Sequence, residues 1–342
     1  MKYLSFVVPS YNAEKFLDRS IPSLLKGGED VEIIIVNDGS KDHTLEIARR
    51  YEKENPSIVK VIDKANGGHG STINAALEVA TGLYFKCVDA DDWLDEDTFH
   101  SLLATIKEKI KVKEEPDLFL TDFVYENVEA GIQHVGSLGK YFKKPGKTIT
   151  WEDLRTFKYT DYIMMHMLVY RLDVLKKSKL HLPEHTFYVD NVYVYEPLYY
   201  VNTLCYLPIS LYRYSVGRSD QSVSIQNADK NYAHQFRVFE KTMLCYTKED
   251  LDKLSKKHRK QMIHAFITIV CLTQHYATIG DYKKKYAEYK CLVKKFKKEN
   301  PSFYRLIRYR TLLACYFNLP FFLKRFVVNY FYKLVMKRTG WN

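Results

Sequence analysis

The first 125 residues alternate between short continuous apolar runs and longer segments with apolar residues at helical spacing. Apolar runs of four to eight residues are typical of strands buried on both faces, and strands alternating with helices favour a parallel sheet. The pattern therefore predicts an α/β fold with a mostly parallel sheet flanked by helices. The predicted strands are Tyr3–Val8, Ile33–Val36, Ile58–Ile62, Leu83–Val88 and Leu118–Val124, and the predicted helices are 14–25, 42–54 and Ser71–Ala80, the last with Ser71 as N-cap.

The pattern changes twice further along the chain. Residues 126–150 lack strong periodicity and predict a loop or a surface hairpin, whereas residues 151–214 return to mixed helix and strand. From about residue 227 the chain is helical and rich in lysine. We therefore predict a first domain over 1–225, with halves 1–125 and 126–225, and a basic helical C-terminal region over 226–342.

Charge reinforces this division. The chain carries a net charge of +11, and residues 221–342 contain 25 Lys and Arg against 8 Asp and Glu. Residues 301–342 have basic side chains interleaved with bulky aromatics and no acidic residue. Such a segment favours helices lying on an anionic membrane surface. Packing against the first domain and an RNA-binding surface are the alternatives, and we expect no nucleic-acid partner.

The predicted compartment follows from the cysteines and the hydropathy. The six cysteines are scattered without a CxxC pair, as in reduced cytosolic proteins. The N-terminal residues lack the features of a signal peptide, and no run of about 18 apolar residues predicts a membrane span. We expect a cytoplasmic protein bound peripherally to the inner face of the cell membrane.

Polar clusters follow the first four predicted strands. They are Pro9-Ser10-Tyr11-Asn12, Asn37-Asp38-Gly39-Ser40, Lys64 to Gly70, and Asp89-Ala90-Asp91-Asp92-Trp93. Ligands of open parallel sheets bind beyond the carboxyl ends of the strands. The four clusters are therefore expected to meet at one edge of the sheet and form the functional site.

The Asp89–Asp92 segment is the most informative of the four. Its three aspartates repel one another beside an apolar strand unless a cation compensates, and oxygen ligands suit Mg²⁺ or Mn²⁺. In an extended segment Asp89 and Asp91 point to the same side, so both are candidate metal ligands. The structural alternative is an Asx-type turn that caps a helix beginning near Asp95.

The other clusters offer weaker signals. Asp38 could accept a hydrogen bond from a base, or only form a tight turn with Gly39. The Gly67-Gly68-His69-Gly70 run precedes a helix N-terminus, which suits phosphate, but a passive flexible loop has the same composition. His166 could contact a ligand or metal, although a core or surface histidine is the commoner case.

Four segments in this order, Val8–Asn12, Ile35–Ser40, Asn66–Gly68 and Asp89–Trp93, resemble the nucleotide-binding half of family 2 glycosyltransferases of the GT-A fold. The resemblance is strong over residues 1–125, loose over 126–225 and absent from the C-terminal region. It implies a UDP-sugar or other nucleotide-diphosphate donor and Mn²⁺ or Mg²⁺. The donor-site residues implied are Pro9, Tyr11, Asn12, Asp38, Asn66, Gly67, Asp89 and Ala90, with Asp91 and Asp89 on the metal and His69 and Trp93 as further candidates.

The resemblance also implies a catalytic base in the second half of the domain. The family usually has a Glu-Asp pair at the start of a helix, and here Val189 precedes Asp190. Asp190 is the candidate base, with a helix N-cap as its alternative role. Arg218 and Gln221, in Gly217–Ser222, could close over the diphosphate as a lid or form an exposed basic loop. The Gln-x-x-Arg-Trp signature of processive synthases is absent.

The leading hypothesis is thus an inverting, metal-dependent hexosyltransferase. Its implied acceptor is a glycan or lipid-linked molecule in surface polysaccharide or teichoic acid assembly. A catalytically inactive, membrane-associated scaffold that binds nucleotide sugars is one alternative. A nucleotidyltransferase is another, but it needs a Gly-rich, Arg-containing loop after the first strand, and Pro9–Asn12 is not such a loop.

Overall fold

The computed structural model describes residues 2–128, 130–158, 160–217 and 229–311, together with 319, 323–327 and 330. The chain forms two compact units. A sheet-containing unit comprises residues 1–155, 164–185 and 200–216, and a helical unit comprises residues 156–163, 186–199 and 217–342. The two short segments of the helical unit are too brief for charge or periodicity to mark them in the sequence, which predicts one boundary after residue 225.

The sheet-containing unit is built on strands that are almost continuously apolar. Every residue of the first strand is buried, as expected for a strand covered on both faces. The strands are β1 Leu4–Ser10, β2 Val31–Asp38, β3 Val59–Lys64, β4 Tyr84–Cys87, β5 Trp93–Leu94, β6 Leu118–Asn127, β7 Ile132–Gly136, β8 Thr148–Thr150, β9 Leu168–Arg171 and β10 Thr203–Ser215.

The strands join one sheet in the order β3-β2-β1-β4-β9-β6-β10-β5, with β7 paired to β6 and β8 to β10. The pairs β1–β2, β1–β4, β2–β3 and β6–β10 are parallel. Antiparallel pairing is confined to β5, β7, β8 and β9. The α/β fold predicted from the sequence is confirmed, and the carboxyl ends of β1 to β4 lie at one edge.

Helices follow the strands of this unit: α1 Leu17–Leu25, α2 Thr44–Glu54, α3 His69–Val79, α4 Glu96–Val112 and α5 Leu172–Ser178. The prediction that Ser71 caps the third helix is wrong. Gly68, at a φ of +82°, turns the chain directly into α3, which begins at His69. Ser71 therefore lies in the first turn, where its hydroxyl donates to the Gly68 carbonyl (2.7 Å).

The weakly periodic segment after residue 125 is partly a hairpin. β6 continues to Asn127 and pairs antiparallel with β7, whose residues are mostly exposed. After β7 the chain forms the short strand β8, which pairs with β10. The sequence predicts a loop or a surface hairpin over residues 126–150. A hairpin is observed, and it consists of β6 and β7 over residues 118–136.

The helical unit packs around aromatic side chains. Its helices are α6 Asp190–Leu198, α7 Tyr232–Cys245, α8 Lys248–Asp252, α9 Lys256–Thr278, α10 Tyr282–Glu299 and α11 Pro301–Arg310. Ring contacts join Phe239, Phe266, Phe296 and Phe303, with the Phe266 and Phe303 centroids 4.7 Å apart. Within the described residues, none of the helices combines the length and apolar character needed to cross a membrane.

Candidate active site

The loops after β1 and β2 are tied together by hydrogen bonds. The Asn12 amide donates to Ser40 Oγ (3.0 Å), and the Lys41 amide donates to Asn12 Oδ1 (2.9 Å). Asn12 holds a left-handed φ of +49°, a conformation that asparagine tolerates better than most residues. The two loops thus form one wall of the site.

The candidate nucleoside-contacting residues of the first loop differ in exposure. Tyr11 is 52% exposed, so its ring is available as a flat surface for a base. Pro9 is buried within β1, opposite Val36 of β2. Proline thus shapes the strand end, while Tyr11 presents the accessible face.

Asp38 organises the loop after β3. Its Oδ1 accepts from Lys64 Nζ (2.9 Å) and the Gly67 amide (2.8 Å), and its Oδ2 accepts from the Gly68 amide (2.7 Å). Burial alone would raise the pKa of Asp38, but the Lys64 ammonium and the two amides outweigh it and lower the pKa. The carboxylate is 2% exposed, so the side chain faces this loop rather than open solvent.

The same loop approaches β2 closely. Asn66 is exposed, and its side-chain amide donates to the Asp38 carbonyl (2.9 Å). A Cβ on Gly39, which has a φ of +69°, would lie 2.9 Å from the Asn66 backbone nitrogen. A Cβ on Gly67 would lie 2.6 Å from Ser71 Oγ. At Gly39 the positive φ and the neighbouring backbone both favour glycine, whereas a side chain at Gly67 would displace the Ser71 side chain.

The acidic segment Asp89–Asp92 turns between β4 and β5, and its members occupy different environments. Asp92 is fully buried, accepting from Tyr212 Oη (2.6 Å) and the Ser215 amide (2.8 Å). Burial, with the charges of Asp91 and Asp89 beside it, raises the pKa of Asp92 well above its usual range. Asp92 therefore fastens the turn to β10, whereas Asp91 is half-buried and Ala90 is buried.

His69, at the start of α3, lies against Asp89 with Nε2 2.8 Å from Oδ1. Burial would raise the pKa of Asp89, but the imidazole beside it outweighs burial and lowers the pKa. The loop after β3 and the segment after β4 are therefore in contact. This contact, with those of Asn12 and Asp38, brings the four polar clusters together as the sequence predicts.

Tyr212 is a site residue that sequence reasoning missed. Its hydroxyl accepts from the Asp89 amide (3.1 Å) and donates to Asp92 Oδ2. Tyr212 lies on β10 opposite Leu94 of β5, so it reaches the site through antiparallel pairing. With 28 tyrosines in the chain, no local signal distinguishes this one.

Arg19 and Lys86 were also missed. Arg19, on α1, donates from Nη2 to the Asp91 carbonyl (2.7 Å) and covers the Trp93 ring at 3.9 Å. Lys86 is fully buried in β4 and donates from Nζ to the His166 carbonyl (2.7 Å). A lone charge inside an apolar strand is the sequence signal that could have identified Lys86.

Two groups of donor atoms among the described residues lie close enough for one cation. In each group the ligand atoms are within 4.8 Å of one another: one consists of His69, Cys87 and Asp89, and the other of Asp89, Asp92 and His166. Asp89 belongs to both, and Asp91 to neither. Carboxylate with imidazole is a donor set that suits Mn²⁺ better than Mg²⁺. The residues present thus fit a divalent cation centred on Asp89.

The candidate base belongs to the helical unit. Asp190 is half-buried at the first position of α6, and the Asn191 side chain donates to its Oδ1 (3.4 Å). Val189 is the N-cap and the helix has no side-chain cap, so the capping role considered for Asp190 is not observed. Arg218 and Gln221 lie outside the described residues.

Comparison with known proteins identifies the domain. Residues 5–171 match the model of glycosyl transferase family 2. The uncharacterized glycosyltransferase EpsJ of Bacillus subtilis (strain 168) is 43% identical over 100 residues, 29% of this chain and 29% of EpsJ. The poly(ribitol-phosphate) β-N-acetylglucosaminyltransferase TarS of Staphylococcus aureus (strain MW2) is 26% identical over 66% of this chain and 37% of TarS. These alignments span about a third of the relatives' own length.

The fold has a counterpart among solved structures. The crystal structure of S. aureus TarS 1–349 in complex with UDP-GlcNAc superposes with a TM-score of 0.66 and 22% identity, covering 90% of this chain and 84% of TarS 1–349. At that identity the likeness establishes the GT-A fold. The predicted family resemblance is thus confirmed: residues 5–171 belong to glycosyltransferase family 2.

Proposed function

We propose that this protein transfers a hexosyl group from a nucleotide-diphosphate donor, a UDP-sugar, to an acceptor hydroxyl with inversion of configuration. The observation that carries the proposal is the contact of His69 with Asp89 beside the loops that Asp38 and Asn12 organise. An exposed aromatic, a glycine-rich loop before a helix and ionised carboxylates then line one edge of the sheet. These groups suit a base, a diphosphate and a cation in turn.

The contacts that we propose for the nucleotide-sugar donor follow from which residues of these loops are exposed. Tyr11 would stack on the base, while Asn12 and Asn66 would contact the nucleoside and ribose. Gly67, with Asp38 holding its amide in place, would let the diphosphate approach the start of α3. Asp38 would thus have two roles. It would hold this loop in shape, and it would contact the polar edge of the base, as the family resemblance implies. TarS in complex with UDP-GlcNAc supports a nucleotide-sugar donor by its fold.

We propose Asp89 and Asp91 as ligands of Mn²⁺ or Mg²⁺. Bound there, the cation would neutralise charge on the leaving diphosphate. The described residues contribute the rest: Arg19 holds the Asp91 carbonyl, and Tyr212 orders the Asp89 amide. The acidic turn is therefore braced on both sides before any ligand arrives, which reduces the cost of ordering it on binding.

Asp190 is the proposed general base. It would accept the proton of the acceptor hydroxyl while that oxygen attacks the anomeric carbon, and the diphosphate would depart from the opposite face. A single displacement of this kind inverts the configuration. Arg218 and Gln221 remain candidates for a lid over the diphosphate.

The proposed acceptor is a glycan or lipid-linked molecule of surface polysaccharide or teichoic acid assembly. The name of TarS, a poly(ribitol-phosphate) β-N-acetylglucosaminyltransferase, supports this class. A strongly basic C-terminal region suits both a polyanionic acceptor and an anionic lipid surface. We place the protein in the cytoplasm, peripheral to the inner face of the membrane.

The test is a panel of nucleotide sugars with Mn²⁺, assayed for hydrolysis and for transfer to cell-wall acceptors. We expect Asp91→Ala to lose turnover by at least about 100-fold, the scale of a lost electrostatic contact to the leaving group. Circular dichroism should show that the variant is folded. Full activity in folded Asp91→Ala would exclude Asp91 as a required metal ligand.

The base is tested separately with Asp190→Asn. Removing a general base lowers turnover by about 10²–10⁴-fold, while donor binding does not need this carboxylate. We expect calorimetry to give an unchanged UDP affinity and single-turnover assays to show the loss. Unchanged turnover would remove Asp190 from the mechanism. A protein that binds neither UDP nor Mn²⁺ would instead support the inactive scaffold.

A further inference from the structure

His166 is a buried residue close to the acidic turn. It lies in a short 3₁₀ turn, Met165–Met167, immediately before β9, and is 7% exposed. Its ring stacks on Tyr214, with centroids 4.2 Å apart, and meets Tyr212 edge-on at 4.9 Å. Aromatic walls of this kind hold the imidazole in one orientation.

One polar atom of this ring is not satisfied. Nδ1 of His166 is buried and has no hydrogen-bond partner within the described part of the chain. Leaving a buried polar atom unpaired is unfavourable, so such atoms in folded proteins call for an explanation. A ring nitrogen of His166 and carboxylate oxygens of Asp89 and Asp92 lie within 4.8 Å of one another.

The backbone that carries His166 is also fixed. The Lys86 ammonium, itself fully buried, donates to the carbonyls of His166 (2.7 Å) and Leu168 (3.3 Å). Lys86 thus links β4, which leads into the acidic turn, to the segment that carries the imidazole. A ligand set works only when its members are held in place, and Lys86 does this for His166.

Nδ1 of His166 has no competing hydrogen bond among the described residues. Asp92, by contrast, already accepts from Tyr212 and Ser215 and serves the turn.

We propose that His166 is a nitrogen ligand of the divalent cation bound at Asp89. The inference rests on the proposed metal dependence and adds a buried nitrogen ligand to that site. A nitrogen ligand favours Mn²⁺ over Mg²⁺, since imidazole suits transition metals and Mg²⁺ prefers oxygen. The protein would then discriminate between two cations that oxygen ligands alone separate poorly.

Electron spin echo envelope modulation of Mn²⁺ bound to the full-length protein with UDP tests this directly. Coupling to ³¹P would show that the ion also contacts the diphosphate, and coupling to ¹⁴N would show a nitrogen ligand. Incorporating ¹⁵N-histidine into the unmutated protein should change the nitrogen frequencies. His166→Phe should abolish the nitrogen coupling and weaken Mn²⁺ at least about tenfold, with less effect on Mg²⁺. His69→Phe should keep the coupling.

The outcomes separate the two proposals. Mn²⁺ that couples to ³¹P but to no histidine nitrogen would overturn the role of His166 and leave the proposed transferase intact. Loss of nitrogen coupling in His69→Phe alone would assign the ligand to His69 instead. Absence of Mn²⁺ binding and of sugar transfer would overturn both. The ¹⁵N-histidine measurement decides the question even if His166→Phe does not fold.

Discussion

At the scale of single residues, Lys86 poses an electrostatic problem. The side chain is fully buried, donates only to backbone carbonyls among the described residues, and lies 5.0 Å from the Tyr212 ring centroid. Burial lowers the pKa of Lys86 from 10.5 to about 7, although the nearby Cys87 and Asp89 oppose the shift. Folding therefore favours loss of a proton that the unfolded chain would keep.

This shift predicts a pH dependence of stability. Below pH 7 Lys86 is protonated in both the folded and the unfolded chain, so folding bears the full cost of burying the charge. Between about pH 7 and pH 10.5 mainly the unfolded chain holds the proton. The free energy of unfolding therefore rises with pH over this range. Urea unfolding at pH 7 and pH 9 should show wild type gaining about 2–3 kcal/mol relative to Lys86→Met. Parallel pH profiles for the two proteins would contradict the assigned shift.

The sequence predicts site residues well where they lie at the ends of predicted strands. Asp89, Asp38 and Asn12 follow strands, and their strand-end positions alone bring them together. Tyr212 and Arg19 reach the site from β10 and α1 through tertiary contacts. Their roles depend on pairing across more than 70 residues, which no local spacing encodes.

At the scale of elements, the close approach of β2 and the loop after β3 depends on glycine. Gly39→Ala should destabilise the protein through both its positive φ and the 2.9 Å contact with Asn66. Gly28→Ala is the matched control, since Gly28 has a φ of +54° with nothing within 4 Å. Chemical denaturation should show a larger loss for Gly39→Ala, by about 1 kcal/mol or more, and UDP affinity should fall only there. Equal losses would mean that backbone strain, not crowding, sets the requirement.

Element boundaries show where sequence reasoning fails. The pattern places the start of the third helix at Ser71, two residues beyond His69, because serine is a common N-cap and glycine usually is not. A positive φ at Gly68 allows the earlier start. The difference matters here, since it puts His69 in the first turn, against Asp89. The strand predicted over Leu118–Val124, by contrast, begins at the same residue as β6 and ends three residues before it.

At the scale of the whole molecule, positive charge concentrates on one face of α10. Its exposed lysines lie opposite the buried Tyr289 and Phe296: Lys283, Lys284, Lys290, Lys294, Lys297 and Lys298. Most of the aromatic basic segment after residue 311 lies outside the described residues. We therefore propose the α10 face as an additional part of the membrane-binding surface.

Vesicle sedimentation tests this surface. Replacing Lys290, Lys294 and Lys297 by Gln should weaken binding to phosphatidylglycerol vesicles by about 100-fold, since each lysine near an anionic surface contributes about 1 kcal/mol. Replacing the exposed Lys53, Lys60 and Lys111 of the sheet-containing unit by Gln changes the net charge equally and should leave binding unchanged. Equal weakening by both triples would point to net charge alone, and binding that resists high salt would argue against this surface.

The hydrogen bonds of Asp92 with Tyr212 and Ser215 set an order of events during synthesis. Asp92 is made early, but its two partners are made about 120 residues later. Until Tyr212 and Ser215 have been synthesised, the Asp92 carboxylate lacks both of its hydrogen-bond donors. It must therefore stay in contact with water or with a chaperone instead of becoming buried. Residues 5–171, the stretch that defines the family, should therefore not fold into a functional site by themselves. The acidic turn of the nascent chain is therefore completed only when β10 docks.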